Sequence, residues 1–450
     1  MEETDLKDIV DDIEYLASEK DDGMILNILI GNHPADIAEI VSNLSEENRK
    51  YVFGLLDIDT ASEVLMQMDE ITREALVAQL HPERLSELVD EMPSDDATDF
   101  VAELPDEVAE KVLESIDRAD SEQVKELLRH EEDTAGGIMA LEFVAVSEDE
   151  TVDEAISEIR AKAEETDAVY NVYVVDKDGV LVGVLPLNTL ILAKPGELVK
   201  RIMDTKVVSV PTDMDQEQVA NLFRRYDLVS VPVVDHAGKL IGRITIDDIV
   251  DVMQEEASED IQKMAGLTEE EAIRETSAMR ISMLRLPWLL VAFVGEMLSA
   301  LVLSKFEASL KEVFIAAFFI PLMMAMGGNS GIQASTIVVR GLALGQLNPA
   351  DTLQRLFKEM RVSFINGAVC GILLWAVVSF LGEPRFGMLL GVVMLIVILN
   401  ASLVGASIPL VLSRFGVDPA IATGPFITTF NDVIGLFIYL GLVTVVLRFI

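Results

Sequence analysis

Three rhythms of apolar and polar positions divide this chain. From residue 35 to 130 short amphipathic stretches recur, as in Ala35-Asp36-Ile37-Ala38-Glu39-Ile40-Val41, Thr60-Ala61-Ser62-Glu63-Val64-Leu65-Met66 and Glu83-Arg84-Leu85-Ser86-Glu87-Leu88-Val89. Their period of about 25 residues predicts short helices stacked into an array. Between 138 and 253 a pattern of β-branched runs and helical stretches occurs twice. The first copy reads Ile138-Met139, Val144-Ala145-Val146, a helix from Thr151 to Ala161 and a hairpin from Val172 to Leu185; the second reads Ile202-Met203, Val207 to Val210, a helix around Gln216 to Arg225 and a hairpin from Val231 to Thr245. Each copy is predicted to be a small mixed α/β unit. After residue 280 come five apolar runs, Leu286 to Ser304, Val313 to Leu344, Val362 to Leu381, Phe386 to Leu412 and Gly424 to Leu447. Each approaches or exceeds the roughly 20 residues of a membrane-spanning helix. The second is too long for a simple span and carries Met-Gly-Gly-Asn-Ser-Gly-Ile-Gln at 326 to 333, which predicts one long or broken helix. A break at membrane depth needs protein or water around the freed backbone.

Charge follows the same division. The chain carries −43 overall, yet residues 281 to 450 hold ten basic and eight acidic side chains, so the first 280 carry −45. Such an excess rules out nucleic-acid backbone binding as the soluble part's business and attracts cations. The lone Cys370 excludes a disulfide framework and a thiolate zinc site. The acidic N-terminus has no basic, apolar leader pattern, and the soluble part is expected in the cytoplasm. Arg280, Arg285, Arg340, Arg355, Lys358, Arg361 and Arg414 then flank the spans inside, against Lys305, Lys311, Arg385 and Arg448 outside, which leaves the C-terminus outside.

Within the spans Asp432 stands apart, a carboxylate at least seven residues inside its apolar run. Intramembrane acids are costly without a partner and mark ion or proton paths. Gly424, Thr428, Asp432 and Gly435 form a small-or-polar stripe at helical spacing, which suits either a pore or close helix packing. Glu296 in the first span is the other candidate acid, facing a path, a neighbouring helix or water. No second intramembrane acid neighbours Asp432 in sequence, so its expected partner is a cation, a proton or its counterpart in a second copy; magnesium, which keeps its waters and takes few carboxylates, suits a two-fold axis.

The soluble acids divide similarly. Most belong to solvated faces. Asp247, Asp248, Asp251, Glu255, Glu256, Glu259 and Asp260, however, share one helical segment, where like charges repel. Setting them against Glu63, Asp90, Asp95, Asp96 and Asp99 requires cations between, and oxygen-only clusters select magnesium or calcium. His33 and His81 each precede a proline and are read as helix starts rather than metal ligands.

The doubled α/β unit resembles a tandem CBS-domain pair. Such pairs often bind adenosine nucleotides through a hydroxyl residue and an acid after the final strand. The second copy has Thr245 and Asp248, whereas the first has Pro186 and Thr189, which favours a structural regulatory pair over adenine-nucleotide binding. Over nearly its whole length the chain resembles the MgtE family of magnesium channels. The motifs are Pro321 followed by Gly327-Gly328-Asn329-Ser330-Gly331-Ile332-Gln333, Leu403-Val404-Gly405-Ala406-Ser407-Ile408-Pro409, Gly416-Val417-Asp418-Pro419-Ala420 and Asn431-Asp432-Val433-Ile434-Gly435.

The resemblance implies an acidic α-helical superhelical domain (1–133), an α/β tandem CBS pair (134–260), a connecting helix (261–284) and a five-span α-helical pore domain (285–450). It implies a homodimer in membrane lipid, with Asp432 as the selective cation site and Asn329, Thr336, Thr428 and Gly435 along the pore. By the same match regulatory magnesium ions fall at Glu63, Asp95, Asp99, Glu217, Asp227, Asp248, Asp251, Glu256, Glu259, Asp260 and Asp418. Some members carry asparagine where this chain has Ile332 and Gly424. The leading expectation is a magnesium-gated magnesium channel in the cell membrane. The alternatives are a broader Mg/Mn/Co transporter, ion-coupled or passive, and a membrane-anchored divalent-ion sensor. With no Walker, HExxH or GxSxG signature, an enzyme is not expected.

Overall fold

The computed structural model describes residues 3–162, 169–267, 278–344, 347, 352–422 and 424–447. It divides into two compact units, Met1–Val252 and Met253–Ile450.

The first unit opens with short helices: α1 (Glu3–Glu19), α2 (Asp22–Leu29), α3 (Pro34–Ser42), α4 (Glu46–Phe53), α5 (Ile58–Met66), α6 (Glu70–Val77), α7 (Pro82–Asp90), α8 (Ser94–Glu103), α9 (Asp106–Ser115) and α10 (Arg118–Leu127). Helix α3 packs on α5, α5 on α7, α7 on α9 and α8 on α10, so each turn of the array covers the apolar face of the next. Ile40, Val64, Leu88 and Val112 are wholly buried along this core. His33 and His81 both occupy N-cap positions with proline following, and the His33 Nδ1 accepts from the Ala35 amide at 3.2 Å.

Two three-stranded sheets follow. The first holds β1 (Ala145–Ser147), β2 (Asn171–Val175) and β3 (Leu181–Pro186); the second holds β4 (Val210–Pro211), β5 (Ser230–Val234) and β6 (Leu240–Thr245). In each the first pair is parallel and the second antiparallel, with a register shift at the same point, after Val174 and after Val233. Helices α11 (Val152–Lys162), α12 (Leu187–Leu192), α13 (Val199–Ile202) and α14 (Gln216–Tyr226) accompany them. The two copies exchange their leading segments, which the sequence pattern did not indicate. Ala140 bridges to Arg243 in the second copy, and Asp204 bridges to Val184 in the first. Gly242 and Gly183 leave room for the exchange, since a Cβ there would lie 2.7 Å from the Met139 sulfur and 2.6 Å from the Met203 sulfur.

Helix α15 (Ile246–Ala265) continues unbroken past residue 260, where the expected connecting helix begins. Residues 268–277 of that segment lie outside the described residues.

The second unit contains α16 (Ala278–Lys305), α17 (Glu307–Glu312), a 3-10 turn (Phe314–Phe319), α18 (Ile320–Ala343), α19 (Thr352–Phe380), α20 (Pro384–Arg414), a second 3-10 turn (Pro419–Ala422) and α21 (Gly424–Leu447). Five of its helical segments are long and apolar enough to cross a membrane. Contrary to one of the two expectations for the second run, the helix is not broken at 326 to 333: α18 passes through the glycines intact. They serve packing instead. Gly327 faces Val397, Gly331 faces Asn431 and Ile427, and Gly405 meets the backbone of Gly331. Such contacts are the usual way helices approach closely in lipid.

Helices α19 and α20 also approach backbone to backbone, where a Cβ on Gly391 would lie 2.6 Å from the Gly371 carbonyl oxygen. Backbone cannot yield as a flexible side chain does. Gly391→Val is therefore expected to destabilise the detergent-solubilised chain by about 1–3 kcal/mol, read as a lowered thermal midpoint. Gly441→Ala, which meets nothing within 4 Å, should leave the midpoint unchanged.

Candidate cation sites

Three groups of carboxylates emerge, one in the first unit and two in the second. In the first unit, Ser94, the first residue of α8, ties that helix to the segment leading into the sheets. The Ser94 hydroxyl donates to Glu142 at 2.8 Å, the Ser94 amide donates to the other Glu142 oxygen at 3.2 Å, and the Leu141 amide donates to the Ser94 hydroxyl at 2.8 Å. This docking holds Asp95 among acids. Burial first, then the charges of Asp248, Asp96 and Glu142, push the Asp95 carboxyl well above the usual carboxylate range.

Asp248 is itself raised, by burial ahead of other causes, although the Thr245 amide donates to it at 3.0 Å and Thr245 Oγ1 lies 2.9 Å away. The Thr245 hydroxyl also contacts Asp247. Asp251, on the next turn of α15, is raised by burial and by Asp247. Among the described residues no ion pair neutralises Asp95. Glu142 belongs to this cluster although sequence reasoning passed over it; its only sequence signal is an acid two residues before the Val144 strand.

The other soluble candidates spread out. Glu63 and Asp99 are exposed on α5 and α8; Glu217 is half-buried in the first turn of α14, and Asp227 caps that helix in a left-handed conformation with φ of 52°.

In the second unit α15 brings Glu256, Glu259 and Asp260 to the loop before α21, where Asp418 accepts from the Ala420 amide at 2.8 Å. The Asp260 carboxyl is pushed up to about 6 by burial, then by Asp418 and Glu256. Lys263 joins the group, 2.9 Å from Asp418 and in contact with Glu259. Gly424 sits where α15 meets the start of α21. Its φ is +47°, and a Cβ there would collide with the Met264 carbonyl. That geometry gives a reason for glycine at this position.

Deeper, α21 carries the intramembrane group. Thr428 hydrogen-bonds the Gly424 carbonyl at 3.0 Å and faces Gly328, beside the exposed Asn329 on α18. Thr336 is half-buried further along α18. Gly435 is buried against Met324 and Val397, the packing alternative for that end of the stripe. Asp432 is half-buried, and its carboxyl meets that of Glu296 at hydrogen-bonding range. The sequence alone offered no acid beside Asp432. The structure supplies one because α16 packs on α21, with Gly295 lying so close to Thr429 that no Cβ fits between them. Next to Asp432, both polar atoms of the buried Asn431 amide lack a hydrogen-bond partner among the described residues.

Two carboxyl groups in contact require a proton or a cation between them, because bare anions at that range repel strongly in a low-dielectric setting. Among the described residues no three histidine, cysteine or acid side chains form a ready-made metal cage. Sparse carboxylates suit a cation that retains part of its water shell.

Family models match three parts of the chain. The MgtE intracellular N domain covers 32–133, the CBS domain covers 135–196 and 199–255, and the divalent cation transporter model MgtE covers 320–442. The magnesium transporter MgtE of Thermus thermophilus is 36% identical over 440 residues, 97% of this chain and 98% of the relative. That of Bacillus subtilis is 34% identical over 414 residues, 91% of each. Among solved structures, the cytosolic domain of the Mg2+ channel MgtE in complex with ATP matches with a TM-score of 0.52 and 37% identity, over 54% of this chain and 99% of that one. The soluble part of a magnesium transporter matches with a TM-score of 0.52 and 29% identity, over 56% and 99%. A relative this similar along nearly the full length of both chains establishes that the chain belongs to the MgtE family of divalent cation transporters.

Proposed function

We propose that this chain is a magnesium channel of the cell membrane, a homodimer whose pore acid is Asp432 and whose cytoplasmic acids close it when internal magnesium rises. The observation that carries the reading is Asp432 itself, a mid-span carboxylate on α21 beside the polar face of α18, in a chain whose relatives are named magnesium transporters. Two copies on an axis place two such acids around one hydrated ion. The N-terminal domains face the cytoplasm and the C-terminus lies outside, in keeping with the flanking bases.

Gating follows from linkage. An ion that binds the compact arrangement of acids better than the loose one stabilises it by that difference in affinity. Asp95 against Asp248, and Asp260 against Asp418, are the contacts where a cation gains most. The domain bounds proposed are those expected from the sequence, with α15 carrying the signal across residue 260. Adenine nucleotide is the weaker second ligand: a solved relative holds ATP, whereas here Thr245 and Asp248 already bond to one another.

In magnesium-loaded liposomes, Asp432→Asn should keep the fold and lower divalent flux at least about tenfold, since it preserves volume but removes the charge. Flux equal to wild type would refute the assignment of the pore acid.

The clusters also make a pH prediction with a definite sign. Asp260 titrates near 3.8 when exposed and at about 6 in the fold, so above about pH 6 its buried charge opposes the compact state, and protonation relieves that opposition. Asp95 and Asp248 shift in the same direction. The metal-free chain should therefore gain thermal stability as pH falls from about 7.5 to about 5.5, and saturating magnesium should abolish the gain. A metal-free midpoint that only falls with acidification would contradict this.

A further inference from the structure

We infer that Glu296 is a second acid of the Asp432 site, so that each chain presents the permeating cation with a pair of carboxyl groups on two helices. The inference rests on the reading of Asp432 as the pore acid and assigns it a partner.

Three observations carry it. First, the Glu296 and Asp432 carboxyls meet at hydrogen-bonding range although 136 positions separate them in the chain. Second, the two helices approach closely beside this pair, because Gly295 on α16 abuts the Thr429 side chain on α21, and a Cβ at 295 would overlap the threonine methyl. Third, Glu296 is exposed on the chain's own surface near the middle of the Ile281–Lys305 span. A carboxyl at that depth does not tolerate lipid, so this face borders a water-filled path or a second copy.

A basic residue on the same helix does not explain it. Arg285 and Lys305 lie 11 and 9 positions away, which is about 16 and 14 Å along a helix rising 1.5 Å per residue. Among the described residues Glu296 forms no ion pair, and the acid it touches is the one already placed in the ion path. The ligand class is a divalent cation: two closely spaced carboxyls hold a doubly charged ion far better than a singly charged one. Glu296 is thus expected to set how strongly a divalent ion at Asp432 excludes sodium.

The test uses the full chain in planar bilayers, with sodium carrying the current and magnesium added as blocker. Glu296→Gln keeps the size and hydrogen-bonding capacity of the side chain and removes its charge. It should raise the half-blocking magnesium concentration about tenfold or more, as Asp432→Asn should too. Glu296→Asp, which keeps a carboxylate, should block within about threefold of wild type; a purely structural role would make it as damaging as Glu296→Gln. If Asp432→Asn weakens block while Glu296→Gln matches wild type, the inference is overturned and the pore-acid reading stands. If neither variant changes block, both fall. Should Glu296→Gln fail to assemble, Glu296→Asp with wild-type assembly but block as weak as Asp432→Asn would equally overturn the inference.

Discussion

Mutual repulsion of carboxylates, held close by a fold that gives them few basic partners, is the constraint on which this molecule depends. Asp95 is held beside Asp248, Asp96 and Glu142 by the hydrogen bonds of Ser94 to Glu142, and burial raises the cost of its charge. Asp260 and Asp418 are set together by the meeting of α15 with the loop before α21, and Lys263 offsets only part of that charge. Asp432 and Glu296 repeat the motif within the apolar spans. On the proposed reading, a cation bound among these acids relieves their repulsion, and ion concentration then acts as a conformational bias.

The apolar framework makes such crowding tolerable. The N-terminal array buries a continuous core from Ile13 to Val124, so α8 presents its acids from a rigid base. Exchange of leading segments between the two α/β units locks the sheets to each other, with Met139 and Met203 seated on glycine. In the membrane domain, glycine-lined contacts among α18, α19 and α20 fix the helices around α21. A softer scaffold would relieve the repulsion by spreading, and the ion would then have less to stabilise.

Much of this was legible in the sequence because it is written in local periodicity. The five apolar runs, the doubled strand–helix pattern and the histidine-proline helix starts all rest on neighbours within a few residues, and the structure contains each of them. Glu296 beside Asp432 was not legible, since the contact depends on how α16 crosses α21. The glycines at 327, 328 and 331 allowed either an intact or a broken helix from composition alone; their fit against Val397, Thr428 and Asn431 decides for the intact one. Glu142 was passed over for a related reason: it sits outside any acidic run, and only the Ser94 hydrogen bonds reveal its place.

The central claim, that cations draw these acids together, is tested most directly by amide hydrogen exchange of the full-length protein in chelator and in millimolar magnesium. Magnesium should slow exchange about tenfold or more, a stabilisation of about 1.4 kcal/mol or more, in the first turns of α8 and along α15. The change should vanish when Asp95, Asp248 and Asp260 are replaced together by asparagine. Equal exchange in the two conditions for the wild-type chain would contradict the account and return these carboxylates to the ordinary solvated surface.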